Sequence, residues 1–432
     1  MVEINSGEKS FEERKREFLG ECIACGQCLE NCRFFPSMKF AHLGAKELIG
    51  RILEVLGGGE ISEGVYDTIY SCSACAECRD WCPSGIAPGI FWLMAEELTS
   101  RGQRAPEQLY YCRSVQFPYN YPHMMSALQV GSSSMRWLSK APQDAKAADI
   151  VLYLGCVPTA LSHLVFTLLD ILKTMGLDFV VLGGGNNLCC GVGYLQIGDT
   201  DGAKRSFEES VSNIQAFSPK LVLFDCFACY ARFAPLAQSL NAPFQCQYFV
   251  NFLMDNLDKL RFTKSLNRVI TYHDDCATRV LQADKGDYEI PRELLRAIPG
   301  IRLVEMEHNK ENSICCGGHV NWTYPEILQN AHKTRIEEAK TAGAEQIVTS
   351  CSYCYTTFTS LEERYALKAT HLILLIGEAM GIAYENKLRE YLHCADLNKI
   401  IDEAKDNLES NNLNVDEVKR FLPKLLKGWR VV

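Results

Sequence analysis

Apolar positions recur along this chain with two different spacings, and the change from one to the other divides it. Up to about residue 102 the spacing is helical. MKFAHLGAKELIGRILEVL (38–56) stops at Gly57-Gly58-Gly59, and GIFWLMAEELTSRG (89–102) stops near Gly102. From residue 148 short β-branched runs alternate with helical ones. ADIVLYLG leads to Cys156, HLVFTLLDILKTMG reads as a helix, and DFVVLGGG leads to Cys189-Cys190-Gly191. A helix over about 199–217 follows, and then KLVLFD before Cys226-Phe-Ala-Cys229. A second copy runs from NRVITYHDD and Cys276 through IRLVEME to Cys315-Cys316-Gly317. It continues with a helix over about 325–342 and EQIVTS before Cys351-Ser-Tyr-Cys354. Strands alternating with helices predict βαβ units and a largely parallel sheet in each copy. The cysteines stand just after strands, where open α/β sheets place their ligands.

Between these parts, residues 103–147 hold Tyr110, Tyr111, Tyr119 and Tyr121 with Pro118 and Pro122. So many aromatics predict a connector packed on its neighbours, because flexible linkers are poor in them. Residues 385–432 read as charged helices, and the last stretch, KRFLPKLLKGWR, is basic and amphipathic; a solvated or partner-facing helix is expected there. HLILLIGEAMGIAY (371–384) is shorter than the roughly 18 apolar residues needed to span a bilayer and contains Glu378, so it predicts a buried helix.

The chain has 432 residues, 47% hydrophobic and 22% charged, as in ordinary globular proteins. A formal net charge of −9 gives no support to nucleic-acid binding, which needs a basic face. The polar N-terminus lacks a signal-peptide pattern, which predicts a cytoplasmic chain. In that setting the tightly spaced C-x-x-C groups among the 21 cysteines read as metal ligands rather than disulfides.

Cys22-Ile-Ala-Cys25-Gly-Gln-Cys28-Leu-Glu-Asn-Cys32 is echoed by Cys72-Ser-Ala-Cys75-Ala-Glu-Cys78-Arg-Asp-Trp-Cys82-Pro83. Three cysteines at this spacing wrap one corner of a cubane [4Fe–4S] cluster, and the fourth reaches a second cluster. The rule predicts exchange: Cys22, Cys25, Cys28 and Cys82 on one cluster, Cys72, Cys75, Cys78 and Cys32 on the other. Zinc sites use two C-x-x-C pairs and do not need the fourth cysteine. Only Cys82 has an adjacent proline, because Cys32 is followed by Arg33 and Phe34. The long insert between the runs resembles the helical ferredoxin domains of respiratory iron–sulfur subunits.

Each copy of the larger repeat offers five thiols, one more than a cubane or a tetrahedral zinc ion takes. Adjacent cysteines suit a larger or more open cluster, and Gly191 and Gly317 permit close backbone approach beside them. The doubled pattern C-(x32–38)-C-C-G-(x33–34)-C-x-x-C resembles the CCG cysteine-rich domain over about 150–360. A helical ferredoxin followed by two such domains resembles the D subunit of heterodisulfide reductase, equivalent to fused C and B subunits. It is also similar to the iron–sulfur subunits of glycolate oxidase, anaerobic glycerol-3-phosphate dehydrogenase and class II benzoyl-CoA reductase complexes.

The resemblance implies an α+β multi-domain fold, a helical two-cluster ferredoxin domain followed by two repeated α/β CCG domains. The expected boundaries are 1–102 for the ferredoxin, 103–147 for the connector, 148–262 and 263–384 for the CCG domains, and 385–432 for a helical extension. It further implies two non-cubane [4Fe–4S] clusters. One would use Cys156, Cys189, Cys190, Cys226 and Cys229; the other would use Cys276, Cys315, Cys316, Cys351 and Cys354. The expected function is passage of electrons from the cubanes to the CCG clusters and reduction of a disulfide there. The alternative is a non-catalytic relay between a flavin- or quinone-linked partner and another enzyme.

The chain has no G-x-G-x-x-G and no P-loop, so no flavin or NAD of its own is expected. Electrons would come from a flavoprotein, cytochrome or hydrogenase-type partner in a hetero-oligomeric complex, any membrane contact being through a partner on the inner face. Disulfide reduction consumes protons. His273, in His273-Asp274-Asp275-Cys276 with Arg279 beyond, and His319, close to Cys316, are candidate proton donors. Hydrogen bonding to cluster sulfur is the other role open to them. Tyr230 and Tyr355 match across the copies as packing residues. Cys112, Cys246 and Cys394 fall outside the motifs and read as ordinary buried thiols.

Overall fold

The computed structural model describes residues 9–111, 121–184, 188–280 and 288–431. Cys112, Pro118 and Tyr119 of the connector, and Gly185 at the end of the glycine run, lie outside them.

Residues 9–102 form helices and short turns. Ser10 caps the helix Phe11–Glu21 in a reciprocal capping box with Glu13, which satisfies two otherwise orphaned amides. The first long apolar run becomes a helix only over Ala45–Leu56, since Gly44 holds a positive φ and ends the preceding turn; Gly57 caps its far end. Ile49, Ile52, Val55 and Leu56 face inward, and with the helices Glu63–Tyr70 and Ala87–Ser100 they make a small core.

Two four-stranded parallel sheets follow. The first contains β1 (Ile150–Leu154), β2 (Val180–Gly183), β3 (Leu221–Phe224) and β4 (Gln245–Tyr248) in the order β2-β1-β3-β4. The second contains β5 (Arg268–Tyr272), β6 (Ile301–Val304), β7 (Gln346–Thr349) and β8 (Lys368–His371) in the order β6-β5-β7-β8. In each sheet the order reverses between the first and third strands, the position where crossover helices diverge and leave a crevice at the carboxyl ends. The fourth strand of each sheet has no counterpart in the hydrophobic pattern. Gln245–Tyr248 and Lys368–His371 are short edge strands with few branched side chains, and their pairing with β3 and β7 creates them.

One continuous core joins both sheets, with the helices Ser162–Thr174 and Leu372–Met380 packed on each other. The latter is the buried helix expected there, and no helix of the described residues is long and apolar enough to cross a membrane. The C-terminal stretch departs from expectation. The helix Val415–Trp429 is neither solvated nor partner-facing on its apolar side: Val418, Leu422, Leu425, Leu426 and Trp429 enter the main core. Trp429 meets Tyr121 of the connector edge-on at 5.5 Å, and Asn321 donates to the Gly428 carbonyl at 2.8 Å. Amphipathicity was legible, but the buried stripe belongs to this chain's own core.

A candidate iron–sulfur centre in four adjoining sites

In the ferredoxin repeat the backbone takes the same path twice. Ala24 and Gly26, and correspondingly Ala74 and Ala76, adopt positive φ, which turns the chain round each C-x-x-C-x-x-C so that the thiols converge. A Cβ on Gly26 would lie 2.7 Å from the Lys46 amide nitrogen. Cys22, Cys25, Cys28 and Cys82 line one small cavity. Cys32, Cys72, Cys75 and Cys78 line a second cavity, and Cys28 borders both. Burial pushes the thiols of Cys28 and Cys32 up to about 12, with neighbouring thiols adding to the effect. A cationic metal group is what turns such buried, clustered thiols into thiolates.

The second ferredoxin cavity abuts the second sheet domain. Cys75 and Cys315 are in thiol–thiol contact. Arg79 donates to the Arg279 carbonyl at 2.9 Å, and Arg279 in turn donates to the carbonyls of Glu311 and Ser313 just before Cys315. Arg279, read from sequence as a polar group beside a cluster, is therefore also a clamp between domains.

All ten cysteines of the larger repeat line one narrow cleft between the two sheet domains. Each set assembles from three loops, after β1, β2 and β3 in one copy and after β5, β6 and β7 in the other. At the paired cysteines the two copies share one device. Gly191 and Gly317 have positive φ, and their amides donate to the thiols of Cys189 and Cys315 at 3.4 and 3.3 Å. The sulfurs of Cys316 and Cys354 lie 3.1 Å apart, and bonds from the Cys315 and Cys354 thiols push the Cys316 thiol below its ordinary range. The cleft walls are otherwise mostly apolar, with Val157, Val192, Phe227 and Tyr353 among them.

The candidate polar residues separate. His319 lines the shared cleft, stacks near Tyr353 and contacts Gln196 of the first domain, a partner the sequence offered no motif to find. His273 does not line the cleft. It is fully buried behind the second cysteine set, where its ring, Cys316 and Cys354 bring their ligand atoms within 4.8 Å of one another. Asp274 makes a bidentate buried ion pair with Arg292 at 2.7 and 2.8 Å. Asp275 accepts from the amides of Ala277 and Thr278, and burial raises its carboxyl above the usual range. Tyr355 is buried and its hydroxyl joins His163 and Asn386, so it packs and also bonds. Cys246 and Cys394 are only partly buried, a correction to the expectation of buried thiols, because Cys246 sits on the edge strand β4 and Cys394 follows a helix end. Cys112 lies outside the described residues.

The cysteine-rich (CCG) domain family matches residues 150–234 and 270–359, and a 4Fe–4S dicluster domain matches 18–86. The chain thus carries two CCG domains behind a 4Fe–4S dicluster domain, and it is related to iron–sulfur oxidoreductase subunits. It resembles the D subunit of heterodisulfide reductases. It is 26% identical to that of the dihydromethanophenazine:CoB–CoM heterodisulfide reductase of Methanosarcina acetivorans, over 85% of this chain and 95% of that one. It is also 24% identical to the EtfAB:quinone oxidoreductase of Syntrophomonas wolfei, over 78% of this chain and 54% of that one. A third relative is the B subunit of the CoM/CoB fumarate reductase of Methanothermobacter marburgensis, 23% identical over 88% of this chain and 74% of that one.

Proposed function

We propose that this chain is a heterodisulfide-reductase-like protein that delivers electrons to a disulfide in the cleft between its two CCG domains. The donor sets fit iron–sulfur groups, because buried and partly buried thiols converge in fours and fives. Cys22, Cys25, Cys28 and Cys82 would hold one cubane and Cys32, Cys72, Cys75 and Cys78 the other. The two five-cysteine sets would each hold a non-cubane [4Fe–4S] group. When bound, such groups supply one-electron transfer.

The observation that carries the reading is the single cleft lined by all ten CCG cysteines, adjoining the ferredoxin part through Cys75 and Cys315. An apolar cleft suits a disulfide, whose sulfurs carry no charge. The reaction adds two electrons and two protons to R–S–S–R′ and breaks the S–S bond to leave two thiols. Two facing sites, one electron each, match that count. His319, in the cleft wall, is the side chain we assign to proton delivery. Its contact with Gln196 ties it to both domains.

The test uses anaerobically purified chain with about 16 irons, four per group. Chemically reduced protein is mixed with low-molecular-weight and protein-bound disulfides, and cluster re-oxidation and thiol release are followed. Re-oxidation with two thiols per disulfide is expected, and Cys189→Ala or Cys315→Ala removes it while the ferredoxin signals still reduce. The kinship to a quinone oxidoreductase favours one other reading, a relay with no substrate of its own. Failure of every disulfide alongside rapid re-oxidation by a partner enzyme decides for the relay. Either way the chain works with partner subunits, an electron donor among them.

A further inference from the structure

Among the described residues, His273 has no hydrogen-bond partner on either ring nitrogen, although the side chain is wholly enclosed. A buried polar atom without a partner is costly, so an imidazole with two such atoms calls for a partner that the polypeptide does not supply. Its surroundings say where that partner lies. Phe358 packs edge-on against the ring at 4.7 Å, and the backbone amide of His273 is fixed by the Val348 carbonyl at 2.7 Å. The ligand atoms of Cys316 and Cys354 complete a triad with the ring, all within 4.8 Å.

The first CCG domain provides the comparison. Tyr153 stands as far before Cys156 as His273 does before Cys276. It occupies the same end of the equivalent strand, with Cys189, Cys190 and Cys229 beside it. Its hydroxyl is paired with Ser210 at 3.5 Å. The repeat therefore places a ring behind both cysteine sets, and only the second ring is an imidazole with both nitrogens open.

We propose that His273 is the sixth side chain of the second CCG site, its ring N–H donating to a sulfur of the iron–sulfur group that Cys316 and Cys354 hold, and that this nitrogen contact makes the two CCG sites chemically unequal. The inference rests on the assignment of a group to each CCG site. A hydrogen bond to sulfur withdraws charge and raises the reduction potential. The second site, the one touching the ferredoxin part through Cys75 and Cys315, then takes an electron more readily than the first. His273 acts through the bound group, so it is a positioning and tuning residue; being outside the cleft wall, it does not meet a substrate.

The experiment uses the full chain, purified anaerobically with ¹⁵N-histidine and poised at stepped potentials for pulsed EPR. One of the two CCG-site signals is expected to carry a ¹⁵N coupling. His273→Phe and His273→Gln should both abolish that coupling, whereas His332→Gln, whose parent ring bonds the Cys316 carbonyl, should retain it. The midpoint of the same signal should move to more negative potential in His273→Phe and return toward the parent value in His273→Gln, whose amide restores an N–H. Tyr153→His should bring a ¹⁵N coupling to the other signal. A coupling that survives both His273 substitutions, or a midpoint unmoved in His273→Phe, overturns the inference while leaving the clusters in place. If His273→Phe does not fold, His273→Gln and Tyr153→His decide by the same couplings. Iron content near eight with ferredoxin signals alone overturns the cluster assignment itself, and the histidine contact with it.

Discussion

The thiol of Cys75 touches the thiol of Cys315, so a ferredoxin motif and a CCG motif meet sulfur to sulfur. That contact lies in one apolar cluster built from Phe34, Phe35 and Leu48 on one side and Ile314, Val320, Ile327 and Leu328 on the other. The four cysteine sites consequently form a row. Cys28 belongs to both ferredoxin cavities, Cys75 reaches the second CCG set, and the two CCG sets share a cleft.

Crossed ligation makes a sharp forecast at Cys82. This residue lies beside the second ferredoxin run in sequence but lines the cavity of Cys22, Cys25 and Cys28. Cys82→Ala should lose about four irons and the EPR signal of that site, leaving the Cys32, Cys72, Cys75 and Cys78 signal in place. Loss of the latter signal alone would contradict the assignment.

At the CCG glycines, a methyl group should be poorly tolerated. Gly191 has φ +87°, and a Cβ there would lie 2.7 Å from the Ala203 carbonyl oxygen. Gly191→Ala should cost about 1–3 kcal/mol from left-handed backbone strain and displacement of a helix. The measurement is a denaturant midpoint together with iron content. Gly317→Ala should be destabilising as well, because Gly317 has φ +69° and a Cβ there would press on the packed Leu328 side chain.

The C-terminal helix should prove integral to the fold. Trp429→Ala removes a buried indole that packs on Tyr121, and should destabilise by about 3–5 kcal/mol in chemical denaturation. A change within error would mean that the helix is only loosely docked.

Acid should weaken the protein through His163 and His371. Burial holds both at about 3, against about 6.5 in an unfolded chain. Between those values the unfolded state binds the extra protons, so stability is complete above about 6.5 and falls as pH drops. The loss reaches about 1.4 kcal/mol per pH unit for each histidine. The variant His163→Gln/His371→Asn keeps polar contacts to Tyr355 and the Ile373 amide but cannot take a proton. Its stability should fall less steeply than the parent's between pH 6.5 and 4.5; parallel curves would refute the assignment.

Local chemistry is carried by nearest neighbours in the chain, and the sequence by itself determined that much here. Cysteine spacing, the two hydrophobic periods and the duplication were enough for the helical ferredoxin part, both CCG domains and the grouping of strands before cysteines. What depends on partners distant in sequence was decided only by the tertiary structure. Edge strands β4 and β8 exist because a neighbouring strand offers them hydrogen bonds. The amphipathic C-terminal helix turns inward because the core leaves room for Trp429 beside Tyr121 and Trp322. His273 and His319 look alike as residues near cysteines. Packing encloses one behind Cys316 and sets the other in the cleft wall against Gln196. The row of sites is likewise a property of packed surfaces: no spacing rule relates Cys75 to Cys315, and burial of the apolar cluster around them is what brings the two sulfurs together.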